Sequence, residues 1–185
     1  MANHYAVYDT PIGDVTIVTN GKYIVSLLFG AVDPIGAINE ETVALYDGII
    51  ALNQFFFGQR LSFDNPLWFG GTEFDKKVYE YVMTIPYAET RTYQEVAEAI
   101  GEPNAEKQVT LVLSKNPLPV FVPCHRVITK TGNLGPYVGG VELKRKILAF
   151  EKANMEKNSM TMNPKISATN NQKGAANPVP FSFRQ

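Results

Sequence analysis

At Gly70-Gly71 the chain changes its hydrophobic rhythm, and that change limits the folds open to it. Before the glycine pair the signals are those of strands. Thr10-Pro11-Ile12-Gly13 reads as a turn, and Asp14 to Thr19 alternates at period two. Asn20-Gly21 is a short hairpin signal, and Tyr23 to Phe29 follows as a further strand. Residues 38–57 then suit a helix, with Ile38, Val43, Leu45, Tyr46, Ile49, Ile50, Leu52 and Phe56 on its apolar face, and Phe63 to Trp68 suits a short extended piece. After the pair the signals are short helices with stops. Thr72 caps a helix running through Ile85, and Thr92 caps another from Tyr93 to Ile100 that Gly101 ends. Pro103-Asn104 opens a third helix, which runs to about Lys115. Two short helices joined through a glycine turn form a helix-turn-helix pattern, in which the second would be the recognition helix.

An α+β chain follows from this reading: a small α/β unit over residues 1–70 and a helix-turn-helix unit over residues 71–154. Phe121 to Thr129 is expected as a strand with a turn at Gly132-Asn133, which gives the second unit a winged-helix-like character. Glu142 to Lys152 closes it as a helix, with Leu143, Ile147, Leu148 and Phe150 packing inward. From Met155 the chain turns to Asn, Ser, Lys, Gly and Pro without periodicity, so residues 155–185 are expected to be a disordered tail.

Charge is uneven although the net value is −1. Residues 1–70 carry two basic and seven acidic side chains, whereas residues 104–154 carry eight basic and three acidic ones, which points a polyanion toward the second unit. No apolar run reaches transmembrane length and no signal-peptide pattern opens the chain, so no membrane association is expected. With one cysteine there is no intramolecular disulfide, which suits a reducing compartment. A cytoplasmic location is the expectation, or a nuclear one in a eukaryote.

The single cysteine stands in Pro123-Cys124-His125-Arg126-Val127, beside one of only two histidines. An apolar, proline-punctuated approach precedes it (Asn116 to Val122), and a glycine-rich stretch follows (Gly132 to Gly140). A thiol between a rigid approach and a flexible loop suggests a pocket with a lid. Thiolate is the nucleophilic form, and a neighbouring cation or imidazole favours it. With histidines only at positions 4 and 125, no metal-ligand cluster is expected, and no metal or other cofactor is called for. Side chains adjacent on a strand face opposite ways, so on a strand Cys124 and His125 would need a bridging water between them.

From about Phe74 to Glu151 the chain resembles the methylated-DNA–protein-cysteine methyltransferase family, the O6-alkylguanine-DNA alkyltransferases. The resemblance is carried in order by Ile85-Pro86-Tyr87, Thr92-Tyr93, Asn116-Pro117, Pro119, Pro123-Cys124-His125-Arg126-Val127, Tyr137 with Gly139-Gly140, and Glu151. The first unit is similar to the family's smaller, ribonuclease-H-like domain. The resemblance implies a single-turnover repair protein, a monomer acting on double-stranded DNA that contains O6-alkylguanine (also O4-alkylthymine). The lesion base is flipped out of the stack and its alkyl group moves irreversibly to Cys124.

Residue roles are implied in the same way. Cys124 is the acceptor, His125 the general base through a water, and Glu151 its orienting carboxylate. Tyr93 donates toward guanine N3. The carbonyls of Cys124 and Val127 take the guanine 2-amino group, and the Val138 amide serves O6. Tyr137 walls the pocket while Gly135, Gly139 and Gly140 let the loop approach. Asn116 is the hinge that ties recognition helix to active-site segment, and Arg126 makes a structural salt bridge rather than a DNA contact. Lys107, Gln108, Thr110 and Lys115 face DNA, with Lys144-Arg145-Lys146 available as further contacts.

The recognition helix departs from the family pattern. Lys107 stands where the family inserts an arginine, Gln108, Thr110 and Leu111 replace small residues, and Ser114 replaces a basic one. Lysine lacks the planar fork of a guanidinium, and a lost phosphate partner weakens binding. An alternative is therefore a variant with weakened DNA binding that reacts mainly with free O6-alkylguanine-type molecules. A second alternative, a non-catalytic binder of alkylated DNA, sits poorly with a retained Cys124. A Cys-His hydrolase and a winged-helix regulator with an incidental cysteine complete the field.

Overall fold

The computed structural model describes residues 2–162. Four strands form one sheet: β1 (Asn3–Tyr8), β2 (Val15–Thr19), β3 (Ile24–Phe29) and β4 (Ala37–Asn39), in the order β3-β2-β1-β4. β2 pairs antiparallel with both neighbours, and β4 lies parallel to β1. The alternation in β2 suggests one wet face, yet all five of its residues are buried. Its two threonines are satisfied locally: Thr16 Oγ1 donates to Gly30 O at 2.8 Å and Thr19 Oγ1 to Tyr23 O at 2.8 Å.

α1 (Val43–Phe56) starts later than its apolar pattern suggests, because Ala37–Asn39 is drawn into the sheet and Thr42 caps the helix. Leu45, Ile49, Leu52 and Phe56 are buried, whereas Val43, Tyr46 and Ile50 are exposed. Beyond it, Ile24 donates to Pro66 O at 2.9 Å and Trp68 to Ile24 O at 3.0 Å, so the extended piece runs beside β3.

α2 (Glu73–Met83) and α3 (Tyr93–Ala99) each begin in a full capping box, on Thr72 with Asp75 and on Thr92 with Glu95. α4 (Glu106–Ser114) has no side-chain cap. These three helices pack on one another as the helix-turn-helix pattern requires. The hairpin expected after Phe121 does not form. β5 (Arg91–Thr92) and β6 (Val127–Ile128) pair in parallel, and Cys124–Arg126 is a 3-10 turn rather than part of a strand. The cause lies in the approach: Val120 adopts φ +75°, Pro123 sits at φ −77°, ψ 59°, and the Cys124 amide closes on Val122 O at 2.7 Å. That is an inverse γ-turn, which extended pairing cannot pass through.

α5 (Val141–Met162) continues ten residues past Lys152, so residues 155–162, expected in the tail, are helical. Residues 163–185, the rest of that expected tail, lie outside the described residues. Among the described residues no helix is long and apolar enough to cross a membrane.

Candidate active site

The site is built on the 3-10 turn, with α5 behind it. Cys124, His125 and Arg126 are all buried, at 3 %, 0 % and 3 % exposure. Asn116 stands just past the Lys115 cap of α4 and holds the turn from one side. Its Oδ1 accepts from the Leu118 amide at 2.9 Å, and its Nδ2 donates to Val122 O at 3.0 Å and to Cys124 Sγ at 3.1 Å. One side chain thus links the end of α4 to the thiol.

On the other side stands Glu151, fully buried on α5. His125 Nε2 lies 2.7 Å from Glu151 Oε1. Arg126 Nε donates to both carboxylate oxygens at 3.0 and 3.2 Å, and the Ala88 amide donates to Oε2 at 2.7 Å. Arg126 Nη1 donates to Ile85 O at 2.6 Å, so this arginine is wholly internal and makes the salt bridge its position implied. Burial alone would raise the Glu151 carboxyl, but His125 and Arg126 hold it below its ordinary value. A carboxylate that accepts from Nε2 fixes the proton there and leaves Nδ1 as the basic nitrogen. Nδ1 is buried without a hydrogen-bond partner among the described residues. Burial lowers the His125 pKa despite the carboxylate, so the ring is neutral.

Burial pushes the Cys124 thiol up to about 11, against the pull of the Asn116 bond and of Lys144. Lys144 is the residue that sequence reading misplaced. It is no DNA contact: its side chain is 0 % exposed. Its ammonium donates to Val127 O at 2.6 Å and to Leu134 O, joining the active-site segment to the glycine-rich loop. Burial brings its pKa down to about 8. It shares a buried face of α5 with Ile147, Glu151 and Asn154, one residue per turn, and apolar periodicity cannot signal a face on which only Ile147 is apolar.

The expected pocket residues gather around the same loop. Tyr93 is buried, with its hydroxyl 3.5 Å from Pro136 O. Gly135 has φ +71°, and a Cβ there would stand 2.9 Å from that hydroxyl, so only glycine lets the loop cross Tyr93. Tyr137 packs on Phe29 at 5.9 Å between ring centroids, and its buried hydroxyl has no partner among the described residues. A Cβ on Gly139 would meet Leu143 at 2.5 Å and Phe29 at 2.7 Å, so Gly139 serves packing against β3. Val138 is exposed, and the Val127 carbonyl already accepts from Lys144.

The α4 residues stand apart from this cluster. Lys107, Gln108, Leu111 and Lys115 are exposed, whereas Thr110 is half-buried and returns its hydroxyl to Glu106 O at 2.9 Å. Among the described residues no group of three or more His, Cys, Asp or Glu could hold a metal ion.

Comparison with known proteins matches two family models along the chain. Residues 3–69 match the ribonuclease-like domain of 6-O-methylguanine DNA methyltransferase, and residues 73–153 match its DNA binding domain. A methylated-DNA–protein-cysteine methyltransferase of Mycobacterium bovis is 38 % identical over 153 residues, covering 81 % of this chain and 93 % of that protein. The constitutive enzyme of that name from Bacillus subtilis is 35 % identical over 158 residues, covering 81 % and 96 %. The crystal structure of Mycobacterium tuberculosis OGT in complex with DNA superposes with a TM-score of 0.76 at 37 % identity, covering 82 % of this chain and 94 % of that one.

Proposed function

The chain belongs to the 6-O-methylguanine DNA methyltransferase family, and from that premise we propose that it removes the alkyl group from O6-alkylguanine in double-stranded DNA by taking it onto Cys124. The observation that carries the reading is the relay from Glu151 through His125, together with the Asn116 bond to Sγ. A neutral thiol that burial holds near 11 is a poor nucleophile at neutral pH, so the reaction needs a base and an electrostatic bias.

His125 supplies the base. The thiol proton passes to Nδ1 through a water, and the imidazolium that forms is balanced by the carboxylate on Nε2. Asn116 Nδ2 and the Lys144 cation favour the thiolate. The Sγ lone pair then attacks the alkyl carbon from the side opposite O6. The C–O6 bond breaks and its electron pair stays with the guanine, whose N3 takes a hydrogen bond from the Tyr93 hydroxyl; the proton held by His125 passes through water to the released base. The thioether has no route back, so each molecule acts once.

The target base must leave the duplex to reach a buried thiol, and unstacking it costs a few kcal/mol. Lys107, Gln108 and Lys115 on the outer side of α4 meet the DNA, while Thr110 supports the helix from within. The backbone of Val127, Val138 and Gly139 and the ring of Tyr137 surround the flipped base beneath the loop. We place the boundary between the two units at Gly70-Gly71, and read the protein as a monomer of the cytoplasm.

Intact-protein mass tests this after incubation with an O6-methylguanine duplex and, separately, with free O6-benzylguanine. One methyl or benzyl increment is expected per chain, absent in Cys124→Ala. No increment with either substrate overturns the proposal.

A further inference from the structure

Glu151 is gripped from two directions, and the second has no place in the reaction described above. One turn along α5, Asn154 is 7 % exposed. Its Nδ2 donates to Phe56 O at 2.8 Å and to the Tyr87 hydroxyl at 3.0 Å. Tyr87 in turn donates to Phe55 O at 3.0 Å. Phe55 and Phe56 are the last residues of α1, and the Phe55 carbonyl also accepts from the Gly58 amide at 3.1 Å just past the helix end. Asn154 and Tyr87 therefore cap the end of a helix from the other unit.

The contact has no slack. Gly58 has φ +70°, and a Cβ there would lie 2.7 Å from Asn154 Cβ. The next turn repeats the pattern, with Asn158 Nδ2 donating to Gly58 O at 3.3 Å. Phe55 also faces the reactive cluster. Its ring stands 6.2 Å from that of His125 and 5.2 Å from that of Tyr87, with the Arg126 guanidinium 5.9 Å from its centroid. The circuit closes through the backbone, because Ala88 follows Tyr87 and donates its amide to Glu151 Oε2 at 2.7 Å.

We infer that Asn154 is a positioning residue: it fixes α5 against the end of α1, and so makes the N-terminal unit part of the device that aims Glu151 at His125. Asn154 and Asn158 lie beyond residue 153, where the match to the family's DNA binding domain ends. The inference rests on the proposed transferase reading, and it deepens that reading by giving the ribonuclease-like unit a task in the chemistry.

The test is the second-order rate of benzyl transfer from free O6-benzylguanine, which takes DNA binding out of the measurement. Asn154→Ala is expected to lower the rate at pH 7 about tenfold, and to change it less than about twofold in a Glu151→Gln background, since both act through one carboxylate. The deficit should narrow as pH rises toward the thiol's own value, where thiolate forms without the base. Ile24→Val in the sheet core is the control for lost stability alone and should leave both the rate and its pH profile as they are. Equal rates for Asn154→Ala and wild type, additive losses with Glu151→Gln, or a deficit constant with pH would each overturn the inference. Should Asn154→Ala not fold, Tyr87→Phe opens the same circuit from its other side under the same criteria. If the wild type takes up neither benzyl from the free base nor methyl from an O6-methylguanine duplex, the transferase reading fails by itself. The downfield proton resonance of His125 Nε2–H then decides the positioning role: a shift in Asn154→Ala supports it and an unmoved resonance overturns it.

Discussion

Replacing Lys144 with methionine separates two effects that usually move together, stability and reactivity. The ammonium is fully buried and donates to Val127 O and Leu134 O. Removing it leaves two carbonyls short of a donor, at about 1–3 kcal/mol each and less where water reaches the loop. Against this stands the burial of the charge. The pKa falls from 10.5 to about 8, and at about 1.4 kcal/mol for each pH unit the charged form costs roughly 3 kcal/mol. Methionine has a similar length and no charge, so the terms nearly cancel and stability should change by less than about 2 kcal/mol. Benzyl transfer should nevertheless fall about 10- to 100-fold, because the thiol loses its nearby cation and the loop its anchor. A pH signature accompanies this. The folded lysine releases its proton near 8 while the unfolded one keeps it to 10.5, so the unfolded state binds more protons in between and wild-type stability rises with pH. Between pH 8 and 9 the rise is about 1 kcal/mol, and Lys144→Met should lack it. The thiol works the other way, since its folded pKa is raised from 9.0 to about 11 and it withdraws stability above 9. Urea denaturation of both proteins at pH 7, 8 and 9 measures the difference. An equal slope in the two proteins, or a rate unchanged by the substitution, would refute the reasoning.

Ala88→Gly should stabilise the protein by about 1 kcal/mol, raising the melting temperature by about 2–4 °C, because Ala88 is exposed at φ +63° and its useful group is the amide. Thermal melting checks it, and a lower melting temperature would mean that the methyl group packs after all. Lys107→Arg should tighten binding to an O6-methylguanine duplex by about three- to tenfold at matched salt while leaving free benzylguanine transfer unchanged, since a planar fork replaces a point charge on the exposed side of α4. A gel shift with equal affinities for the two proteins would count against a DNA-facing Lys107.

Local punctuation made much of this fold readable. Thr72 and Thr92 each sit three residues before an acidic side chain, and both form the reciprocal caps that this spacing favours. The turn before Cys124 was not readable in the same way. Val120, Phe121 and Val122 are strand formers by composition, and only the tertiary burial of all three explains why Val120 accepts a positive φ. Glu151 entered through its resemblance to a family position, because nothing local marks a glutamate on a helix as buried. The Ala88 amide opposite it, being backbone, left no trace in the side chains at all.

The hardest part to read was α5, and the reason is physical. An amphipathic helix declares its buried face by apolar residues at helical spacing, and Leu143, Ile147, Leu148 and Phe150 invite that reading. The face that is most deeply buried is instead Lys144, Ile147, Glu151 and Asn154. Three of these four are polar, and each is tolerated because a fixed backbone or side-chain partner waits for it: the loop carbonyl of Leu134, the His125–Arg126 pair, and the end of α1. Periodicity measures what a helix gains from leaving water, whereas this helix spends that gain on holding other elements in place. A chain that buries a lysine, a glutamate and an asparagine on successive turns has traded packing free energy for geometry. That trade makes sense where two units of one chain must agree on the position of one imidazole.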